Sequence, residues 1–123
     1  MTWSVPANVI REYYRRIDMN DTEWVVGLFA ADAIYERADS TYRGAKQMRQ
    51  FFCIDRQIRG VHSLEHLWCV KENIVVVLGS FDGFGAEGDA RSVRFGDVWW
   101  FNAERYVKRR QTFLALGHGY VAR

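Results

Sequence analysis

Two periods of apolar residues run along this chain, and they change over near its middle. Val9, Ile10, Tyr13, Tyr14 and Ile17 recur at helical spacing, with Arg11, Glu12, Arg15 and Arg16 on the other side. Ser4 is placed to cap this helix with Pro6 in its first turn, and Asn20 and Asp21 end it. A second, short helix carries Trp24, Val25, Leu28 and Phe29 on one stripe. Ala33 to Ala38 reads as a short strand, and Gly44 precedes a third helix whose buried stripe is Met48, Phe51 and Phe52. After Gly60 the period falls to two. Val61–Lys71 alternates, Glu72 and Asn73 turn, and Ile74–Val77 is a β-branched run. Gly83 to Asp89 is a Gly-rich hairpin loop. Ala90–Asn102 and Tyr106–Leu116 are two long strands joined at Ala103–Arg105. Helices first and antiparallel strands after define an α+β fold. Three N-terminal helices pack inside a strongly curved sheet and leave a conical cavity between the layers.

Composition narrows the picture. With 123 residues the chain is one domain, 1–123, because halves of that length would bury too little core. The aromatic load of 5 Trp, 6 Tyr and 8 Phe suits a thick core, a lined cavity or a large interface. A net charge of +2, on scattered basic residues, argues against a nucleic-acid partner. No apolar run approaches the ~20 residues of a membrane span, and Met1 to Val5 lacks a basic-then-apolar signal pattern. Cys53 and Cys69 have no metal-type spacing and read as reduced thiols of a cytoplasmic protein.

Several stretches carry a resemblance. Arg11-Glu-Tyr-Tyr-Arg-Arg-Ile-Asp-Met-Asn-Asp21, Leu28-Phe-Ala-Ala-Asp-Ala-Ile-Tyr-Glu36, Tyr42-Arg-Gly44 followed by Gln50-Phe-Phe52, and Gly96-Asp-Val-Trp-Trp-Phe-Asn102 together resemble the nuclear-transport-factor-2-like superfamily. That group includes SnoaL-like cyclases, ketosteroid isomerases and scytalone dehydratases. The resemblance spans roughly residues 6–116. It implies a cystatin-like α+β cone with a mixed, mostly antiparallel sheet, and a homodimer paired through the outer sheet face. It says little about activity, because the fold hosts many functions.

Candidate pocket residues follow from period two once a register is chosen. An aspartate at position 97 resembles the isomerase pattern, so Asp97 is placed inward, with Val93, Phe95, Trp99 and Phe101. The matching face of the last strand carries Arg110, Thr112 and Leu114. The first long strand offers His62, Leu64, His66 and Trp68, and the helices contribute Trp24 and Phe52. Tyr13 occupies the position of the isomerases' catalytic tyrosine. The resemblance therefore implies an oxyanion hole of Tyr13 and Asp97, the carboxyl kept neutral by its apolar walls. An ordinary buried hydrogen bond, or an Asp97–Arg110 ion pair, is the structural alternative. Where the isomerases place their proton-shuttling carboxylate this chain has Arg37, which cannot act as a base near neutrality. Arg37 facing in would bind an anion, the alternative being a surface arginine at a strand end; Glu36, adjacent, points to the other face unless a bulge re-aims it. His62 stands where scytalone-dehydratase-like proteins place a catalytic histidine, and its intrinsic pKa suits proton exchange. His62 and His66, about 13 Å apart along a strand, cannot share a metal. His118 lies beyond the last strand and reads as a tail residue.

The same register places Val75, Val77, Phe81, Leu67 and Cys69 on the outward face, extended by Val98, Trp100, Val107 and Phe113. Such an apolar patch suits a dimer. The expectation is a cofactor-free, metal-free enzyme that moves protons on a small, apolar, carbonyl-bearing substrate, by isomerisation, dehydration or cyclisation. Tyr13, Asp97 and His62 would be catalytic; Arg37, Arg110, Trp24, Phe95, Trp99, Trp68 and Phe52 would bind substrate. The alternative is a non-catalytic ligand-binding or assembly dimer of the same fold.

Overall fold

A computed structural model describes residues 4–38 and 40–116. The first helix, α1 (Ser4–Asp18), buries Ile10, Tyr13, Tyr14 and Ile17, the stripe its spacing predicts. Its exposed side is laced by Glu12, which accepts from Arg15 at 2.9 Å and from Arg16 at 2.5 Å. Asn20, in the left-handed region at φ 60°, ends it. The next helix, α2 (Thr22–Gly27), is shorter than the stripe suggested: Leu28 caps it, and Phe29 opens strand β1 (Phe29–Arg37). Phe29 is buried all the same, because the chain crosses from helix to strand beneath the same core.

Strand β2 (Ser40–Arg43) pairs antiparallel with β1 and is too short and too exposed for periodicity to reveal. Gly44, at φ 81°, then swings the chain into α3 (Gly44–Gln50), which continues into a π-helical turn, Phe51–Asp55. Met48, Phe51 and Phe52 are all buried. Four long strands follow: β3 (Arg59–Lys71), β4 (Ile74–Phe84), β5 (Ala90–Phe101) and β6 (Val107–Leu114).

The six strands form one curved, unclosed sheet in the order β2-β1-β6-β5-β4-β3. β1 runs parallel to β6 and every other pair is antiparallel. The architecture is an α+β cone with the helices inside the curve. The register sets rows of side chains across the concave face. Tyr35, Arg110, Trp99, Val75 and Cys69 form one row; Arg37, Thr112, Asp97, Val77 and Leu67 form the next. Beyond them come Leu114, Phe95, Gly79 and Leu64, and then Val93, Phe81 and His62.

Strand β3 departs from strict alternation. Leu64 pairs with Gly79, but His66 pairs with Leu78, so one residue is bulged out between them. The bulge exchanges the faces of everything after it. Leu67 and Cys69 pack against the core, while Trp68 is 45% exposed on the convex side. Unbroken period two had placed His66 and Trp68 inward and Leu67 and Cys69 outward, and the bulge inverts all four. Gly79 makes room for it: a Cβ there would lie 2.4 Å from the Ser63 carbonyl oxygen. Val75, Val77, Phe81 and Val107 were also expected outside and are instead buried in the core. Their strands pair in a register that puts Val75 opposite Trp99 and Val77 opposite Asp97, both inward.

Candidate active site

The open end of the cone encloses a cavity of about 460 Å³, within the range of small-molecule sites. Tyr13, Tyr35, Phe51, Phe52, Phe81 and Phe95 supply its apolar walls. His62, Asp97, Arg37, Arg56, Arg91 and Arg110 are the charged or titratable groups that reach it.

Its floor is a hydrogen-bond network centred on Asp97, which is 1% exposed. Arg110 donates to it from Nη2 at 2.9 Å and from Nε at 3.3 Å. Tyr14 and Thr112 donate to its two oxygens as well. Trp99 Nε1 in turn donates to the Tyr14 oxygen at 3.3 Å, and the Tyr35 and Thr112 hydroxyls lie 3.1 Å apart. The Arg110 guanidinium sits over the rings of Tyr13, Tyr35 and Trp99 at 4.7, 4.5 and 4.2 Å. Burial works against its charge, but the Asp97 carboxylate and the surrounding tyrosines outweigh that and hold its pKa well above the usual value.

Tyr13 joins this network through the arginine: Arg110 Nη1 donates to the Tyr13 oxygen at 2.6 Å. Tyr14, one residue on and part of the same buried stripe, is the tyrosine bonded to Asp97. Burial pushes the Tyr13 phenol up to about 12, with the Arg110 cation pulling the other way. The Tyr14 phenol is also held well above its ordinary value, by burial and then by Asp97. Both therefore keep their protons near neutrality.

At the far side of the Tyr14 ring, 5.3 Å between centroids, is His62. Its ring Nδ1 lies 2.5 Å from Asp18 Oδ1, and its backbone N–H donates to Asp18 Oδ2 at 2.9 Å. Asp18 is the last residue of α1 and His62 is near the start of β3, so the pair ties the helix to the sheet edge. A carboxylate accepts, so Nδ1 carries the proton toward Asp18, and in the neutral imidazole Nε2 is then the acceptor. Phe81 and Phe95 flank the imidazole at 4.8 and 5.4 Å.

The structure thus brings Tyr13, His62, Asp97, Arg37, Arg110, Phe95 and Phe52 to one cavity. It does not bring the three tryptophans there. Trp68 is turned out by the bulge. Trp99 is fully buried beneath Tyr13, 4.7 Å between ring centroids, and serves as floor. Trp24 packs beside the core under the Arg16 guanidinium. Arg37 lines the cavity, and Glu36 points the other way to accept from Arg109 at 2.7 Å, so no bulge re-aims it. Sequence reasoning passed over Asp18 and Arg56. Asp18 lies at i+4 from Tyr14 on the pocket-facing side of α1, a spacing that could have drawn notice; nothing local marks Arg56. Among the described residues no three His, Cys, Asp or Glu side chains gather as a metal site would require, and no helix is long and apolar enough to cross a membrane. His118 lies outside the described residues.

A nuclear-transport-factor-2-like cone with a lined, one-ended cavity is the class these features define. A SnoaL-like domain model matches residues 10–109, and the chain belongs to that family. Solved structures agree on the fold. An epoxide hydrolase/cyclase-like enzyme, SalBIII, whose described role is pyran ring formation in the polyether salinomycin, aligns with a TM-score of 0.81 at 16% identity, covering 94% of this chain and 95% of that one. A nuclear-transport-factor-2-like protein of unknown function from Burkholderia pseudomallei aligns at 0.79 and 18% identity, covering 89% and 90%. Another from an Exiguobacterium species aligns at 0.76 and 13%, covering 88% and 98%. No curated protein sequence matches.

Proposed function

We propose that the protein is a cofactor-free acid–base enzyme acting on a small, largely apolar substrate with a carbonyl group. The observation that carries this reading is the Asp18–His62 pair at the wall of a cavity whose floor presents the Tyr13 hydroxyl. Asp18 fixes the imidazole tautomer so that Nε2 accepts a proton from a carbon next to the carbonyl. Tyr13 donates toward the carbonyl oxygen as negative charge develops there, and the Arg110 bond to the phenol oxygen strengthens that donation. Among the described residues no acceptor takes the Tyr13 proton, which leaves it for a ligand. Asp97 acts one step back in this reading, as a positioning residue that holds Arg110 and Tyr14. Ring closure, isomerisation and dehydration all share this first proton transfer. A cyclase-like structural neighbour is compatible with it. A cytoplasmic dimer paired through the convex face is the form in which we propose that it works.

Hydrogen–deuterium exchange at the carbons flanking the carbonyl of 2-tetralone, followed by NMR, tests the proposal. The wild-type protein should accelerate exchange, and His62→Ala should slow it by about 10²-fold or more. Asp18→Asn should fall between, with a shifted pH profile. A wild-type protein that binds 2-tetralone without exchanging its protons would leave the ligand-binding dimer as the function.

A further inference from the structure

The cavity carries a charge imbalance that proton transfer does not use. Four guanidinium groups line it, against the single carboxylate of Asp97 among its described lining residues. Arg110 takes Asp97, and Arg91 is paired with Asp89 at 2.5 Å. Arg37 Nε and Arg56 Nη1, in contrast, are buried with no hydrogen-bond partner among the described residues. Leaving such donors unmet is unfavourable, and more so when they are charged.

The two groups come from different elements and line the same cavity, and each residue touches Phe51. Arg37, the last residue of β1, lies with Cζ 5.3 Å over the Phe51 ring. Arg56 follows the π-helical turn, and its backbone N–H donates to the Phe51 carbonyl at 2.8 Å. A widened turn of this kind re-aims the residue that leaves it. Burial also lowers the Arg56 pKa, with the Tyr13 and Tyr35 phenols pulling the other way.

We infer that Arg37 and Arg56 form an anion clamp that takes the carboxylate of a ring-bearing organic acid, whose apolar body lies against Phe52, Phe81 and Phe95. Guanidinium forks match a planar carboxylate in geometry and charge. The inference deepens the proposed function by naming the substrate class, and it rests on the cavity being the ligand site, not on the chemistry at His62.

Titration calorimetry of the full chain with 2-naphthoate and 2-naphthamide tests it, since the two share a ring system and differ in charge. Wild-type protein should bind the naphthoate at least about tenfold tighter. Arg37→Gln and Arg56→Gln should each lose about tenfold for naphthoate and keep the weaker affinity for naphthamide. Both variants should melt at or above the wild-type temperature, because each removes a half-buried cation with one buried, unmet donor. Arg94→Gln, on the outer surface, should change neither affinity. Equal affinities in the wild type, binding of neither compound, or an unaltered naphthoate affinity in Arg56→Gln overturns the clamp. Exchange on the neutral 2-tetralone is a separate readout. Its failure with charge discrimination intact removes the proton-transfer reading alone; the reverse result removes the clamp alone.

Discussion

Asp97 and Arg110 show how much one buried pair can organise. Their side chains are 1% and 5% exposed, and two hydroxyl donors, from Tyr14 and Thr112, plus three aromatic faces converge on them. Removing one partner strands the other charge in the core. Asp97→Asn should cost about 3–5 kcal/mol in urea unfolding, while Asp97→Leu/Arg110→Met should lie closer to wild type; a single-variant cost under about 1 kcal/mol would refute the role given to the pair. Tyr13 makes a second prediction at this scale. Its pKa is raised on folding, so the folded state holds its proton more tightly than the unfolded chain. The resulting stability, on the order of 3 kcal/mol, is complete below pH 10 and disappears as pH climbs from 10 toward 12. Tyr13→Phe should remove that part of the alkaline slope, and identical slopes in the two proteins would contradict it. At the residue scale the inward position of Asp97 was reachable through resemblance to the isomerases. The choice of Tyr14 over Tyr13 as its partner was not, since both belong to one buried stripe and only the helix's rotation against the sheet separates them.

The elements divide along the same line. α1 was legible along its length and at its C-terminal end because its stripe, its polar face and its Asn20 stop are all local signals, whereas Ser4, read as the cap, is already helical. Its Glu12 is held down at about 2 by the Arg15 and Arg16 guanidinium groups. A carboxyl lowered by folding stabilises above its unfolded pKa, so this contribution is present above pH 4.5 and fades as pH falls toward 2. The Glu12 side-chain carbon signal in an NMR titration should show that depressed midpoint, and Glu12→Gln should flatten the acid limb of stability. β3 was only half legible. Its alternation is visible, but the bulge after Leu64 depends on the cross-strand approach of Gly79, fifteen residues away in sequence. Gly79→Ala, lacking space for its methyl, should cost about 1–3 kcal/mol and disturb the Trp68 environment through the slipped register. An unchanged melting temperature would show that the strands separate easily there.

On the scale of the whole molecule, the curved sheet leaves an apolar outer face. Trp68, Val70, Leu78 and Phe113 are 45, 53, 38 and 54% exposed on it, bordered by the Arg94–Glu65 and Arg109–Glu36 pairs. An apolar centre with a charged rim is the anatomy of a subunit interface, and a second copy of this chain is the proposed occupant. Sedimentation equilibrium should find a dimer at tens of micromolar that Phe113→Glu together with Leu78→Arg reduces to monomer; a monomeric wild type would remove the proposal. An apolar outer face was anticipated and most of its residues were misassigned: the bulge reversed Leu67, Trp68 and Cys69, and the strand register turned Val75, Val77, Phe81 and Val107 inward. Taken alone, the order of residues determined the α+β class, the helix faces and the strands that follow Gly60, because those are set by spacing within a few turns or a few strand positions. Tertiary structure alone decided which face each strand shows, which tyrosine reaches Asp97, and that Asp18 meets His62 while Arg37 Nε and Arg56 Nη1 are buried without a hydrogen-bond partner among the described residues. Those outcomes depend on register and on contacts between residues far apart in sequence, where one bulged residue reverses every side chain beyond it.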